Sequence, residues 1–179
     1  MWKYNSRKRP PFAETPGLGQ ESVWDYPRPP KLVGDQRRVV VRCGDSIIAD
    51  STSTYRVLET AGPPTFYVPP QDARVDLLQP FPGASICEWK GRAKYWGLTT
   101  SEEAREAIAW SYPAAQSPYE IISGYLSFYP GRSSVTSITN AFARSPVIST
   151  VVGSPTKSPV LGKARRARRV GSVQTLIDK

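Results

Sequence analysis

The clearest structural signal in the chain reads Val39-Val40-Val41-Arg42-Cys43-Gly44-Asp45-Ser46-Ile47-Ile48-Ala49. Two runs rich in β-branched residues flank the pair Gly44-Asp45. A two-residue turn that contains glycine between such runs is typical of a β-hairpin. Residues 39–43 and 46–49 are therefore predicted to form two antiparallel strands.

Further short runs downstream of this hairpin also have the composition of β-strands. Turn sequences separate them, such as Gly-Pro-Pro at 62–64 and Pro-Pro at 69–70. Strands repeated at this spacing predict a mostly β fold built from small antiparallel sheets. The predicted runs are residues 55–59, 65–68, 74–78, 85–89, 92–96 and 125–129.

One or two short helices are expected between the last strands. The sequence Ser117-Pro118-Tyr119-Glu120 offers an N-cap serine, a proline at the first helical position and an acid at the third, so it predicts a short helix that ends before Gly124. Residues 100–108 fit a helix that begins with a capping box, but residues 107–112 also fit a strand. We expect the helix, and the strand is the alternative.

Composition excludes several kinds of functional site. The 179 residues contain no His and two cysteines, Cys43 and Cys87. One chain therefore cannot supply the four Cys or His ligands of a structural zinc site, nor the imidazole of a Ser-His or Cys-His mechanism. We expect two reduced thiols, no metal and no cofactor.

Hydropathy argues against a membrane protein. No apolar run approaches the roughly 18 residues of a membrane span. The basic N-terminus leads into Pro10-Pro11 rather than an apolar stretch, so it does not resemble a secretory signal. These features predict a soluble, cytoplasmic protein without a membrane partner.

The net charge of +9 lies mostly in the C-terminal segment. Residues 133–179 hold eight Lys or Arg and one acid, whereas residues 1–132 hold sixteen bases and fourteen acids. The folded part therefore lacks the basic patch that nucleic-acid binding requires, and a nucleic-acid partner is not expected.

The chain divides into three predicted segments. Residues 1–37 form an extended arm that prolines interrupt, and we expect Trp24 and Tyr26 to dock onto the domain, because burying large rings offsets the entropy of ordering. Residues 38–132 form the β domain. Residues 133–179 are predicted to be a disordered basic tail.

This tail is also predicted to be an out-of-frame translation. Its composition changes abruptly after Arg132, and its aromatic residues shrink to Phe142. Codons read two nucleotides late across Ser149 to Thr156 can encode Asp-Gly-Gly-Trp-Ile-Thr-Asp-Glu, and the codons of Gly171 and Ser172 can then supply a stop.

Six groups of short motifs follow one another across residues 38–132. They are Ile48-Ala49-Asp50-Ser51; Arg56-Val57-Leu58-Glu59-Thr60; Pro63-Pro64 with Tyr67 and Pro69-Pro70; Cys87-Glu88-Trp89-Lys90-Gly91 with Ala93, Tyr95 and Trp96; Ala109-Trp110-Ser111-Tyr112-Pro113; and Gly124-Tyr125 with Phe128-Tyr129-Pro130. In this order they resemble the bacterial domain-of-unknown-function family 427. The resemblance implies a β-tent fold, in which small antiparallel sheets meet at an angle, in a metal-free form. The family is also labelled nucleotidyltransferase.

Aromatic and charged residues concentrate in these motifs. Lys90 can bind an anionic group while Trp89 or Tyr95 stacks on a ring. Alternatively, Cys87 and Trp89 point into the core and Lys90 lies in solvent, because strand residues alternate between faces. The candidate ligand-binding residues are Arg56, Glu59, Tyr67, Trp89, Lys90, Tyr95, Tyr125 and Tyr129.

Position within a strand adds detail to this set. Arg56 and Glu59 have odd separation and should face opposite sides, with one of them buried and paired. Tyr125 and Tyr129 share a face by parity, which predicts one aromatic wall. Trp110 and Tyr112 are expected in the core and its rim.

The favoured function is a non-catalytic binding module with an aromatic-lined cleft between sheets, which binds an unidentified small molecule or peptide. The alternative is a nucleotide-handling enzyme that uses Asp72, Asp76 and Lys90. Its basis is that nucleotidyl transfer usually needs paired carboxylates to hold magnesium.

Overall fold

The computed structural model describes residues 8–18, 20–99 and 106–130, and the backbone of residues 137–141 and 150–151. As predicted, the described chain is mostly β, and its helical elements are 3-10 turns of three residues each. No described helix is long and apolar enough to cross a bilayer. The strands are β1 Glu21–Ser22, β2 Lys31–Asp35, β3 Arg38–Cys43, β4 Ser46–Ser51, β5 Thr54–Leu58, β6 Thr65–Tyr67, β7 Leu78–Cys87, β8 Gly91–Leu98, β9 Ala109–Ser111, β10 Leu126–Phe128, β11 Ser137–Ala141 and β12 Thr150–Val151.

These strands form three small antiparallel sheets. The strand orders are β10-β9-β8-β7, β11-β3-β4 and β2-β5-β6. The pair β1-β12 is parallel and only two residues long. The predicted antiparallel arrangement is thus confirmed for the three larger sheets.

The hairpin predicted from residues 39–49 is present as β3 and β4. Gly44 turns the chain with φ +58°, a backbone conformation that glycine adopts without strain. Val39, Val41 and Ile48 point inward and are almost fully buried. They form one core cluster with Ile108 and Phe128, and burying each such side chain contributes about 1.5–3 kcal/mol.

A second core cluster lies beside the first, and alternation along β6 separates the two. Tyr67 packs into the second cluster with Tyr112, Tyr119 and Ile122, whereas the next residue, Val68, packs into the first. Val68 and Leu126 exchange backbone hydrogen bonds of 2.7 and 2.8 Å, which join the end of β6 to β10. This bridge holds the three-stranded β2-β5-β6 sheet against the four-stranded sheet.

The N-terminal arm contributes more structure than the prolines suggest. Residues 31–35 form β2 and pair with β5 in full antiparallel register, so the sheet begins before residue 38. The prolines precede this strand and therefore do not interrupt its hydrogen bonds. Tyr26 is buried and Trp24 is half-buried against Val23 and Leu58, which agrees with the expected docking.

The helix predictions need correction. Ser117-Pro118 lies in a turn, and the helical element is a 3-10 turn at Glu120–Ile122, which does end before Gly124. The chain cannot continue the helix, because the Gly124 N–H donates to the Tyr112 carbonyl. For residues 100–108, positions 100–105 lie outside the described residues, positions 106–108 are not helical, and β9 follows at Ala109–Ser111. Residues 75–77, predicted as strand, form another 3-10 turn.

The predicted tail contains two described strands. β11 pairs with β3, and β12 pairs with β1. The other residues of 133–179 lie outside the described part of the chain. That this segment is disordered and out of frame stays a prediction.

Candidate functional site

A cavity of about 640 Å³ lies between the three-stranded β2-β5-β6 sheet and the four-stranded sheet. The first sheet and the turn after β5 form one wall, and β7, β8 and β9 form the other. The lining residues are Arg28, Val57, Glu59, Thr60, Ala61, Gly62, Pro63, Thr65, Tyr67, Ser85, Lys90, Ala93, Tyr95, Trp110, Tyr112 and Tyr129.

The turn between β7 and β8 positions Lys90 inside this cavity. β7 ends at Cys87, and Gly91 begins β8 with φ +87°, which favours glycine. The Gln116 N–H donates to the Lys90 carbonyl at 3.3 Å and fixes the backbone there. A Cβ on Gly91 would approach Gln116 Cγ to 3.2 Å, so the turn also packs closely.

Lys90 is only 6% exposed, so the alternative in which it lies in solvent is wrong. It assumed that the strand, with its alternation of inward and outward side chains, continues through Trp89 to Lys90. The strand stops at Cys87, and the alternation stops with it. Residues 88–90 form a turn instead, which directs the side chain inward.

The Lys90 ammonium is surrounded by aromatic rings rather than by acids. Its Nζ lies 5.7 Å from the centre of the Tyr112 ring and 5.5 Å from that of Tyr119. Among the described residues, no carboxylate forms an ion pair with Lys90 and no acceptor forms a hydrogen bond with it. Buried lysines are rarely left without an anionic partner, so this ammonium is an unusual feature of the cavity.

A continuous series of rings extends from Lys90 along the cavity. The ring centres of Tyr112 and Tyr67 are 6.3 Å apart, those of Tyr67 and Trp110 are 6.5 Å apart, and those of Trp110 and Tyr129 are 4.4 Å apart. Burial raises the pKa of Tyr67 and of Tyr112 above the ordinary tyrosine value. Both phenols therefore stay neutral, and the wall is uncharged at physiological pH.

The opposite rim carries an ion pair from the N-terminal arm. Arg28 bridges two carboxylates, Glu59 and Glu88, and its guanidinium lies 5.5 Å from the centre of the Trp89 ring. Arg28 and Glu59 both line the cavity. Within the lining their two charges offset each other, while Glu88 adds a further negative charge that is exposed and lies outside the lining.

The structure brings together five of the eight candidate residues: Glu59, Tyr67, Lys90, Tyr95 and Tyr129 all line the cavity. The Tyr95 hydroxyl also donates to Ser85 Oγ at 2.8 Å across the β7-β8 hairpin. The other three candidates, Arg56, Trp89 and Tyr125, do not line it.

Arg56 has a structural role in an ion-pair network. It is buried, as predicted for one member of the Arg56–Glu59 pair, with Nε 2.6 Å from Asp35 and Nη1 3.0 Å from Glu21. Burial alone would raise the pKa of Asp35 and of Glu21. Hydrogen bonds from Arg37 to Asp35, and from Tyr26 and Arg56 to Glu21, outweigh burial and lower both pKa values.

Tyr125 and Trp89 pack elsewhere in the second core cluster. Tyr125 makes an edge contact with Tyr55 at 6.0 Å, while Tyr129 packs on Trp110. The predicted wall shared by Tyr125 and Tyr129 is therefore not formed. The prediction assumed one strand over residues 125–129, with alternate residues on the same face. β10 covers only Leu126–Phe128, so both tyrosines lie outside the strand and the alternation does not apply to them.

The structure does not bring Asp72 and Asp76 to Lys90. Asp72 accepts hydrogen bonds from Ser51 at 2.6 Å and Ser53 at 3.2 Å, and Asp76 pairs with Arg74 at 2.6 Å. Neither carboxylate lines the cavity. Among the described residues, no three acidic or cysteine side chains are grouped to hold a metal ion.

Sequence reasoning missed several lining residues. Trp110 and Tyr112 were expected in the core and rim, and their aromatic character alone did not distinguish the two roles. No sequence feature near Arg28 indicated a role in the site, because its ion-pair partners Glu59 and Glu88 are distant in the sequence. Ser85 and Thr65 likewise line the cavity only because the two sheets face each other.

Comparison with known proteins gives one family match. The family described as "Domain of unknown function (DUF427)" matches residues 31–139. The match begins at the first residue of β2 and ends inside β11, so it is wider than residues 38–132 at both ends. No curated protein matches the chain.

Proposed function

This chain belongs to the DUF427 family, and we propose that it is a binding module whose ligand is a small planar molecule held in the cavity between the two sheets. The observation that carries the proposal is the contiguous wall of Tyr112, Tyr67, Trp110 and Tyr129. Tyr67 and Tyr112 are buried and support the wall, while Trp110 and Tyr129 are partly exposed and offer flat, rigid faces on which a planar ligand can stack.

The size of the cavity supports a small-molecule ligand. Its volume of about 640 Å³ falls in the range of roughly 300–1,000 Å³ that is typical of ligand pockets. Polar groups lie among the rings, including the hydroxyls of Thr60, Thr65 and Ser85. The lining is therefore nearly evenly divided between apolar and polar surface, so it can contact both the rings and the polar groups of an organic ligand.

A nucleotide-handling enzyme that uses Asp72, Asp76 and Lys90 is the alternative function. It has less support, because Asp72 is engaged by Ser51 and Ser53, Asp76 by Arg74, and neither lines the cavity that contains Lys90.

The proposal is tested by filling the cavity. Saturation-transfer NMR of the full chain with a set of naphthalene derivatives detects binding of planar molecules. We expect transfer to the wild type and loss of transfer in Thr65→Trp, because Thr65 lines the cavity from β6 and tryptophan is compatible with a strand.

The matched control is Ile47→Trp, which adds an indole at an exposed position of β4 outside the cavity and should leave transfer unchanged. The proposal is wrong if no compound in the set shows transfer to the wild type, or if Thr65→Trp binds as well as Ile47→Trp.

A further inference from the structure

We infer that the ligand of this cavity carries a single anionic group, which Lys90 binds, and a flat aromatic body that lies along Trp110 and Tyr129. The inference rests on the proposed function and names the chemical class of its ligand. It follows from the charge of the lining, the burial of Lys90 and the order of the rings.

The charge of the lining leaves one cation uncompensated. Among the described residues, the charged side chains that line the cavity are Arg28, Glu59 and Lys90. Arg28 is paired with Glu59 and also with Glu88 outside the lining. Lys90 remains, and its charge matches a ligand with one negative group.

The burial of Lys90 makes an anionic partner favourable. The residue is 6% exposed, and the ring faces of Tyr112 and Tyr119 offset part of the lost hydration of its ammonium. Cation–π contacts stabilise a buried ammonium less fully than a carboxylate that accepts its hydrogen bonds. A bound carboxylate would supply the acceptor that the described residues do not.

The order of the rings sets the orientation of the ligand. Lys90 lies against Tyr112 at one end of the series, and Trp110 and Tyr129 form its other end. With its anionic group at Lys90, a ligand would pass Tyr67 and place its flat body on the Trp110–Tyr129 pair, whose rings are the closest together of the series.

Two other ligand classes fit this site less well. An aromatic cavity can hold an organic cation, but the Lys90 ammonium would repel one. A nucleoside triphosphate carries several negative charges, whereas the lining offers one free cation among its described residues and includes the Glu59 carboxylate. The electrostatics therefore favour an aromatic monoanion.

The test compares 2-naphthoate with 2-naphthamide, which has the same ring system without the charge. Isothermal titration of the full chain should give a dissociation constant about tenfold lower for 2-naphthoate, since a hydrogen bond to a charged group is favoured by that order. Lys90→Met should remove this preference by weakening 2-naphthoate binding while 2-naphthamide binding stays the same. Naphthalen-2-ylmethylamine, a cation at neutral pH, should bind more weakly than 2-naphthamide.

Lys94→Met is the matched control, because Lys94 is an exposed lysine of strand β8, four residues after Lys90, and does not line the cavity. It should keep the preference for 2-naphthoate. Lys90→Arg, which keeps the charge, should retain most of the preference and so separates loss of charge from disturbed folding. Circular dichroism of each variant verifies that it is folded.

The outcomes distinguish the two proposals. If 2-naphthoate and 2-naphthamide bind equally and Lys90→Met changes neither, the inference about charge is wrong while the proposed function stands. If neither compound binds the wild type, the inference falls together with the proposed function. If Lys94→Met removes the preference as Lys90→Met does, the effect is one of overall charge and the role of Lys90 is refuted.

Discussion

Lys90 and Arg56 are both buried cations, but their surroundings are opposite. Arg56 is enclosed by the carboxylates of Asp35 and Glu21 and therefore has a structural role. Lys90 lies among aromatic rings and faces a cavity. The groups around each buried cation thus distinguish Arg56, which stabilises the fold, from Lys90, which is available to a ligand.

The role of Arg56 predicts a large loss of stability on substitution. Arg56→Met would leave the buried carboxylate of Asp35 without one of its two arginines, and breaking a buried ion pair costs about 3–5 kcal/mol. We expect the free energy of unfolding, measured by urea denaturation, to fall by about that amount.

Arg38→Met is the control for Arg56→Met. Arg38 pairs with Asp50 at 2.5 Å, but its side chain is 55% exposed, and exposed pairs contribute about 0–1 kcal/mol. Equal losses in the two variants would contradict the structural role assigned to Arg56.

Residue type alone identified five residues of the cavity lining. Glu59, Tyr67, Lys90, Tyr95 and Tyr129 were candidates because aromatic and charged residues are common in ligand sites. The burial of Lys90 was not predictable in this way, since it depends on where β7 ends. Arg28 was missed because its role depends on pairing with Glu88, sixty positions away.

At the scale of elements, the β7-β8 hairpin determines where Lys90 lies. Gly91 closes this hairpin with a positive φ and packs against Gln116. The backbone of Lys90 is held by Gln116 from the other side of the turn. The position of the ammonium therefore depends on the geometry of this one turn.

Gly91→Ala tests this dependence. The alanine would be strained at φ +87° and its Cβ would lie 3.2 Å from Gln116, so we expect a loss of about 1–2 kcal/mol in the free energy of unfolding and weaker binding of 2-naphthoate.

Gly44→Ala is the matched change in the β3-β4 hairpin. Gly44 also has a positive φ, but nothing lies within 4 Å of its Cβ position. It should cost less stability and leave 2-naphthoate binding unchanged. If Gly91→Ala binds 2-naphthoate like the wild type, the turn does not set the position of Lys90.

The sequence predicted the elements that depend on local chemistry. The β3-β4 hairpin was foreseen because strand composition and a glycine turn are adjacent in the chain. For β7 and β8 the strand runs 85–89 and 92–96 were foreseen, but β7 begins already at Leu78 and the turn lies at residues 88–90. β2 was missed because the prolines before Lys31 indicated an irregular arm, whereas its strand is stabilised by pairing with β5. The 3-10 turn at Glu120–Ile122 begins two residues after the predicted helix start at Pro118, and Tyr119 just before it is anchored by a tertiary contact, the donation of its hydroxyl to the distant Pro30 carbonyl at 2.6 Å.

At the scale of the whole molecule, the site exists because two small sheets face each other without filling the space between them. Ala93 is buried on the cavity side of β8, where a larger side chain would occupy part of the volume. The expectation of antiparallel sheets followed from strand spacing. The cavity itself could not be derived from the sequence, because it depends on how β5 and β6 are placed against β8 and β9.

The most direct measurement is a crystal structure of the full chain with 6-bromo-2-naphthoate, whose bromine marks one end of the ligand by anomalous scattering. The account predicts a carboxylate oxygen about 2.8 Å from Lys90 Nζ and the bromine end against Trp110 and Tyr129. A ligand with the bromine at Lys90, or one seated outside the cavity, would contradict it.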